Sequence, residues 1–225
     1  MKKGTLNIAL TTAATAAALI STPVTAYEAG DWLVRGRIIS VSPDESSNTL
    51  TSSVAGNLGT RVGVDTNIVP EVDFTYMLSR HWGVELILAS SQHQLKDKGL
   101  GLGNIAEVRT LPPTLTLQYH FRPDRKYQPY AGIGINYTLF FDEDESSSLK
   151  TAGGGKADVD LDESIGIAFQ VGMDVALDKD WFMNFDVKYI DMSTDASITT
   201  TALGKLTIDV DIDPWVYGIG IGRRF

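Results

Sequence analysis

With 225 residues, no cysteine and a formal net charge of −9, the chain has no disulfide framework and no thiolate metal site. Its acidic balance argues against nucleic acid as a partner. Hydrophobic residues make up 43% of it, yet beyond the N-terminus no run reaches the roughly 18 apolar residues of a membrane helix, so any membrane-spanning role falls to strands.

The first element is an address. Lys2 and Lys3 give a positive start, Leu6 to Ile20 form an apolar, alanine-rich run, and Val24-Thr25-Ala26 place small residues at the cleavage positions. A cleaved secretory signal peptide over 1–26 is expected, with the mature domain over 27–225. A membrane anchor is the competing reading of the same run, and its threonines weigh against that.

After Ala26 the pattern repeats every second residue. Strands are expected near 31–41, 66–78, 83–93, 107–121, 129–141, 164–177, 181–193 and 208–225. In the sixth, Ile165, Ile167, Phe169, Val171, Met173 and Val175 share one face, and Gly166, Ala168, Gln170, Gly172 and Asp174 the other. The seventh sets Trp181, Met183, Phe185, Val187 and Tyr189 against Phe182, Asn184, Asp186 and Lys188. Connections alternate between short turns (79–82, 122–128, 178–180) and long polar loops (42–65, 94–106, 142–163, 194–207). That asymmetry belongs to an eight-stranded antiparallel transmembrane β-barrel with short periplasmic turns and long extracellular loops, in the outer membrane of a Gram-negative bacterium.

A soluble eight-stranded barrel alternates too, with its apolar face inside. Here the bulky residues are on the apolar face, and the other face is small, glycine-rich or charged. A lumen of eight strands houses the second set far more easily than the first. In a membrane the reverse phase would put Lys188 into hydrocarbon, at about 2–4 kcal/mol near mid-depth. Aromatic residues gather at two levels: Trp82, Tyr119, Phe121, Tyr130, Trp181 and Phe225 toward the turns, and Phe141, Tyr189 and Trp215 toward the loops. The last strand carries Trp215, Tyr217, Ile219, Ile221 and Phe225 on one face, as in the C-terminal signal read by the barrel assembly machinery. Arg223 interrupts it, where an arginine can snorkel to the interface.

Several motifs in order resemble the OmpW/AlkL family of small outer-membrane proteins. They are Glu28-Ala29-Gly30, Phe74-Thr75-Tyr76-Met77, Gly83-Val84-Glu85-Leu86, Leu111-Pro112-Pro113-Thr114-Leu115, Pro129-Tyr130-Ala131-Gly132, Gly134-Ile135-Asn136-Tyr137-Thr138, Gln170-Val171-Gly172, Asp180-Trp181 and Asp213-Pro214-Trp215-Val216. The resemblance covers essentially the whole mature chain. It implies a narrow eight-stranded barrel that takes up small hydrophobic molecules, with outer-membrane lipid and lipopolysaccharide as its surroundings.

The inward columns divide by height. Ile39, Val41, Ile87, Phe140, Ile190, Met192, Ile212 and Val216 fall toward the outside, as an apolar lumen. Arg35, Arg37, Glu71, Asp73, Glu85, Gln118, His120, Asp174, Asp186, Lys188 and Arg224 fall toward the periplasm, as a polar plug. Lys188 is expected to pair with Asp186, Asp174 or Glu85. The upper set also reads as ordinary barrel packing. Pro112 and Pro113 lie where the fourth strand should pair, and proline donates nothing to a ladder. They mark either a lateral opening, as the resemblance implies, or a bulge above the membrane.

Other chemistry is thin. His81, His93 and His120 fall on a turn, a loop end and the lumen without metal-ligand spacing. Gly218, Gly220 and Gly222 lie in a strand with no helix after them, unlike a nucleotide loop. The run Asp142-Glu143-Asp144-Glu145 reads as a solvated acidic loop or a divalent-cation attractor. No serine has a histidine and carboxylate arranged around it, so no enzyme is expected, and no cofactor. The functional expectation is passive uptake of small apolar solutes; the alternative is a structural or surface-interaction barrel whose loops bind a partner.

Overall fold

In the computed structural model residues 26–225 are described; the expected signal peptide lies outside them but for Ala26. Eight strands make the barrel: β1 (Trp32–Ser42), β2 (Asn67–Met77), β3 in two pieces (Trp82–Ala89 and Ser91–Asp97), β4 (Asn104–Leu111 and Thr114–His120) and β5 (Tyr127–Glu145). They continue as β6 (Ala157–Leu161 and Ser164–Ala176), β7 (Trp181–Ile190 and Ser193–Thr200) and β8 (Gly204–Asp211 and Trp215–Arg224). Each pairs antiparallel with the next, and β8 closes on β1 from Leu33↔Arg224 to Ser42↔Trp215. Closure leaves no edge strand at membrane depth, which the hydrocarbon requires.

The alternation decides which side meets lipid. Ile133, Ile135, Ile165, Ile167, Phe169 and Val171 are exposed, whereas Gln118, Gln170, Asp174, Asn184 and Lys188 are buried in the lumen. Aromatic rings pack at the two rims: Trp32 on Tyr76 (5.1 Å) and Trp82 on Tyr119 (4.9 Å) near the turns, Tyr189 on Trp215 (5.3 Å) near the loops. The Arg223 guanidinium lies 5.4 Å from the Trp181 ring and 4.8 Å from the Phe225 ring, so the charge in the C-terminal motif rests on aromatic faces at the rim.

Two expectations need correction. Tyr130 belongs to no interface belt: it shares its face with Gly132 and points inward, buried, its ring in the space left by Gly172. The loops expected to be irregular are largely further strand. Above the membrane β3, β4 and β5 continue with Val62–Val64 as one sheet, and β6, β7 and β8 continue as another, joined by Ser46–Ser47 and Thr51–Ser52. There the phase inverts. Ile105, Val108, Val159, Leu161, Ile198, Leu206, Ile208 and Val210 point inward and are buried, with Asp158, Asp160, Asp195, Lys205 and Asp209 outward. A strand that leaves lipid for water must turn its polar residues out. A short helix, α1 (Ser147–Ala152), with Ser146 as its N-cap, fills the space between β5 and β6 and buries Leu149.

Inward glycines make room for large inward side chains. A Cβ at Gly172 would overlap the Tyr130 ring, while one at the outward Gly36 would meet nothing within 4 Å. Gly172→Ala should therefore destabilise the barrel by about 1–3 kcal/mol. Gly36→Ala should leave stability equal or slightly higher. Urea unfolding in phospholipid bilayers reads the difference, and equal midpoints for the two variants would contradict the packing described.

Candidate functional site

From the periplasm upward, the lumen holds three layers. At the floor Tyr27, Leu33, Met77 and Phe182 form a small apolar cluster. Arg224 lies at this end, partly buried, its Nη1 donating to the Ala26 carbonyl (2.9 Å) and 3.8 Å from Asp31, below the charges of the next layer.

The second layer is a continuous ion network. Arg35 reaches Asp174 (2.8 Å), Asp73 (3.0 Å) and Glu85 (3.4 Å), and donates to the Thr75 hydroxyl (2.7 Å). Arg37 reaches Glu71 (2.6 Å), Asp73 (2.7 Å), Glu85 (3.5 Å) and Asp186 (3.5 Å). Lys188 pairs with Asp186 (2.7 Å) and Glu71 (3.0 Å), the second of these in place of the expected Asp174 or Glu85. Three cations thus face five carboxylates, and neutral donors meet the excess. Gln118 and Thr116 donate to Glu85 (2.7 and 3.1 Å), Gln170 and Tyr130 to Asp186 (2.8 and 2.9 Å), and Asn184 and Tyr27 to Asp174 (2.8 and 3.0 Å). His120 is buried beside the network, its Nε2 3.3 Å from Gln118 Oε1. Alternate glycines of β8 make space for the arginine stems: a Cβ at Gly220 would lie 2.7 Å from Arg37 Cγ, and one at Gly222 3.0 Å from Arg35 Cγ. Arg35, Arg37, Glu71, Asp73, Glu85, His120, Asp174, Asp186 and Lys188, read from the sequence as a plug, are all in this layer.

Above it lies an apolar cavity, part of it open to solvent. All eight residues assigned from the sequence to an apolar lumen line it: Ile39, Val41, Ile87, Phe140, Ile190, Met192, Ile212 and Val216. Glu71 and Lys188 form its floor, and Ile105, Val108, Ile198 and Ile208 of the continued strands extend its walls upward. The sequence reading missed a vestibule above, lined by Leu50, Leu58, Leu100, Leu102, Leu149 and Leu203. Its only sequence signal was a set of isolated leucines in polar stretches. Asp97 folds one wall: its carboxylate accepts from the Thr60 hydroxyl (2.6 Å) and from the Leu100 and Leu102 amides (2.7 and 3.1 Å). Partial burial pushes the Asp97 carboxyl up, and these hydrogen bonds outweigh it, holding the group below the usual carboxylate range.

Rungs are missing beside the cavity between β7 and β8, where backbone hydrogen bonds still cross from Ile190 N–H to the Pro214 carbonyl (3.2 Å) and from Ile212 N–H to the Met192 carbonyl (2.7 Å), and between β3 and β4. Ile87 pairs with Thr114 and Ser91 with Thr110, so the register of β3 on β4 is the same below and above. Between them the rungs Leu88–Pro113, Ala89–Pro112 and Ser90–Leu111 are missing. No residue is inserted in this ladder, so the β-bulge that the prolines also allowed does not form here. Toward β5 the ladder continues through Tyr137 N–H to the Pro113 carbonyl (3.1 Å). The Pro112 carbonyl is taken by Thr114 Oγ1 (3.1 Å) and Asn136 Nδ2 (3.3 Å), and Pro112 has no N–H to offer β3. Ala89, Ser91, Pro112 and Thr114, on both sides of the break, line the cavity. Beside it is an arrangement the sequence reading had not found. Ser91 and His93, two residues apart on a strand, share the inward face and are hydrogen-bonded (2.9 Å), so His93 is not at a loop end as expected.

The OmpW family model matches residues 28–225. The chain belongs to the OmpW family. Outer membrane protein W of Vibrio cholerae is 38% identical over 214 residues, covering 93% of this chain and 95% of that protein. The crystal structure of the outer membrane protein OprG from Pseudomonas aeruginosa superposes with a TM-score of 0.85 at 40% identity, over 90% of this chain and 99% of that one. The dibenzothiophene metabolism operon protein PahQ of Pseudomonas aeruginosa is 27% identical over 205 residues, 88% of this chain and 90% of that protein. This chain is accordingly an outer-membrane OmpW-family barrel.

Removing one partner of a buried ion pair costs roughly 3–5 kcal/mol, because the other charge stays buried. Lys188→Met should lower stability to urea in bilayers by that order, and adding Glu71→Gln should recover part of the loss. A Lys188→Met barrel as stable as wild type would contradict the network. The depressed Asp97 value sets a second expectation. Its contribution is present above the ordinary carboxylate range and is lost as pH falls through the folded value. Hydrogen-exchange protection of the Leu100 and Leu102 amides should drop on that descent, and Asp97→Asn should remove the pH dependence.

Proposed function

We propose that this protein is a passive uptake conduit for small apolar solutes. They enter from outside through the leucine-lined vestibule, occupy the apolar cavity, and leave sideways into the bilayer between β3 and β4. The observation that carries this reading is the shape of the route. A cavity of apolar walls rests on the buried pair Lys188–Glu71 and adjoins the three missing rungs at Pro112 and Pro113.

Each part follows from solvation. Ionised groups in the network are held by their partners, and an apolar solute crossing it would have to break hydrogen bonds it cannot replace. An eight-stranded lumen is wide enough for side chains or one small ligand, so no aqueous bypass runs beside the plug. The broken rungs open instead toward acyl chains, the medium in which such a solute is most soluble. PahQ, named for an operon of dibenzothiophene metabolism, supports the class of solute, since dibenzothiophene is a compact, uncharged aromatic.

The chain has no native cysteine, so the break can be closed chemically. In the unbroken register Ala89 faces Pro112. Oxidation of an Ala89→Cys, Pro112→Cys variant should reduce liposome uptake of naphthalene at least tenfold, with recovery on reduction. Undiminished uptake by the fully cross-linked barrel would overturn lateral release.

A further inference from the structure

Besides the Lys188–Glu71 floor and the threonines Thr114 and Thr194, the cavity lining holds a linked group of polar side chains at the upper lip of the break between β3 and β4. Thr110, Ser91 and His93 are all buried, all line the cavity, and are joined in sequence. His93 Nδ1 lies 3.0 Å from the backbone carbonyl of Asp65, His93 Nε2 lies 2.9 Å from Ser91 Oγ, and Ser91 Oγ lies 2.8 Å from Thr110 Oγ1. A carbonyl oxygen only accepts, so Nδ1 carries the ring proton and Nε2 of the neutral imidazole is an acceptor. With the ring neutral, Ser91 directs its O–H to His93, and Thr110 directs its O–H to Ser91, whose hydroxyl and carbonyl oxygens lie 2.8 and 3.4 Å away. The relay runs one way, and it ends at Thr110 Oγ1 with lone pairs facing the cavity and no proton to offer. Donor chemistry at that point must come from whatever occupies the cavity.

We propose that the Thr110–Ser91–His93 relay is a recognition subsite that selects small apolar solutes carrying one O–H or N–H donor, such as a phenol or an alcohol. The subsite rests on the uptake reading for its place on a route. A solute resting there would keep its apolar body among Ile87, Ile190 and Val216 and its single donor on Thr110, adjacent to the opening between β3 and β4. Solutes with only an acceptor gain nothing, because the Thr110 hydroxyl proton is already committed to Ser91. One net hydrogen bond contributes about 0.5–1.5 kcal/mol, a preference of roughly two- to tenfold.

Equilibrium binding to the full barrel in phospholipid nanodiscs, corrected against empty discs, tests this with 1-naphthol and 1-methoxynaphthalene, which share a ring system and differ in the donor. Wild type should bind 1-naphthol about fivefold more tightly. Thr110→Val, close in shape, should bring the ratio to near one, and Thr110→Ser should retain it. His93→Leu is a second variant acting from outside the contact itself. It removes the terminal acceptor, frees Ser91 to donate back to Thr110, and should also shrink the preference. Equal affinities in wild type, or a preference that survives both Thr110→Val and His93→Leu, would overturn the proposal. Naphthalene flux into liposomes separates it from the uptake reading. Donor preference without flux leaves the subsite standing and overturns the conduit; flux without preference does the reverse.

Discussion

The structure depends on an ion network buried in the narrow lumen of an eight-stranded barrel. Arg35, Arg37 and Lys188 are held between five carboxylates, with six neutral donors on Glu85, Asp174 and Asp186. A buried charge is tolerable only when partnered on this scale. The partners come from β1, β2, β3, β4, β5, β6 and β7, so one continuous ion network ties almost every wall strand to its neighbours across the axis. The glycines of β8 complete the arrangement by what they lack, leaving room for arginine stems.

Once the axis is occupied by charge, the rest of the molecule takes a direction. The cavity has a floor, and its apolar walls rise past the membrane into strands whose phase has inverted. Below the inversion, apolar residues face lipid and the interior is polar; above it, they face the interior and carboxylates face water. The apolar surface therefore passes from outside the barrel to inside it, at the height where the wall between β3 and β4 loses three rungs. On the proposed route two apolar media, the cavity and the acyl chains, meet at that break.

Much of this was legible in the sequence because period two fixes both faces once one is placed. Strands, lumen residues and plug residues all follow from the parity of Lys188 or Gln170. The same parity placed Tyr130 inside with Gly132, but its aromatic character outweighed parity in the reading. The upper strands were lost for a related reason. Val159 and Leu161, or Ile198 and Leu206, alternate with Asp, Ser, Thr and Lys, and such apolar-in alternation looks like polar loop when lipid-facing alternation is the template. Three-dimensional facts were beyond reach. The Glu71 partner of Lys188, the leucine vestibule and the meeting of Ser91 with Thr110 depend on register between strands distant in sequence. The prolines announced a break in pairing, and only the unshifted register on both sides distinguished missing rungs from a bulge.

On the proposed reading, paired charge closes the barrel axis and the upper cavity stays open. Ion conductance of single barrels in planar phospholipid bilayers tests this most directly. A closed axis gives no resolved unitary current in molar potassium chloride at moderate voltage, and weakening the network through Lys188→Met should introduce leak events. A steady ohmic conductance through the unmodified barrel would contradict the account, since ions would then be crossing the layer that the carboxylates and arginines are said to fill.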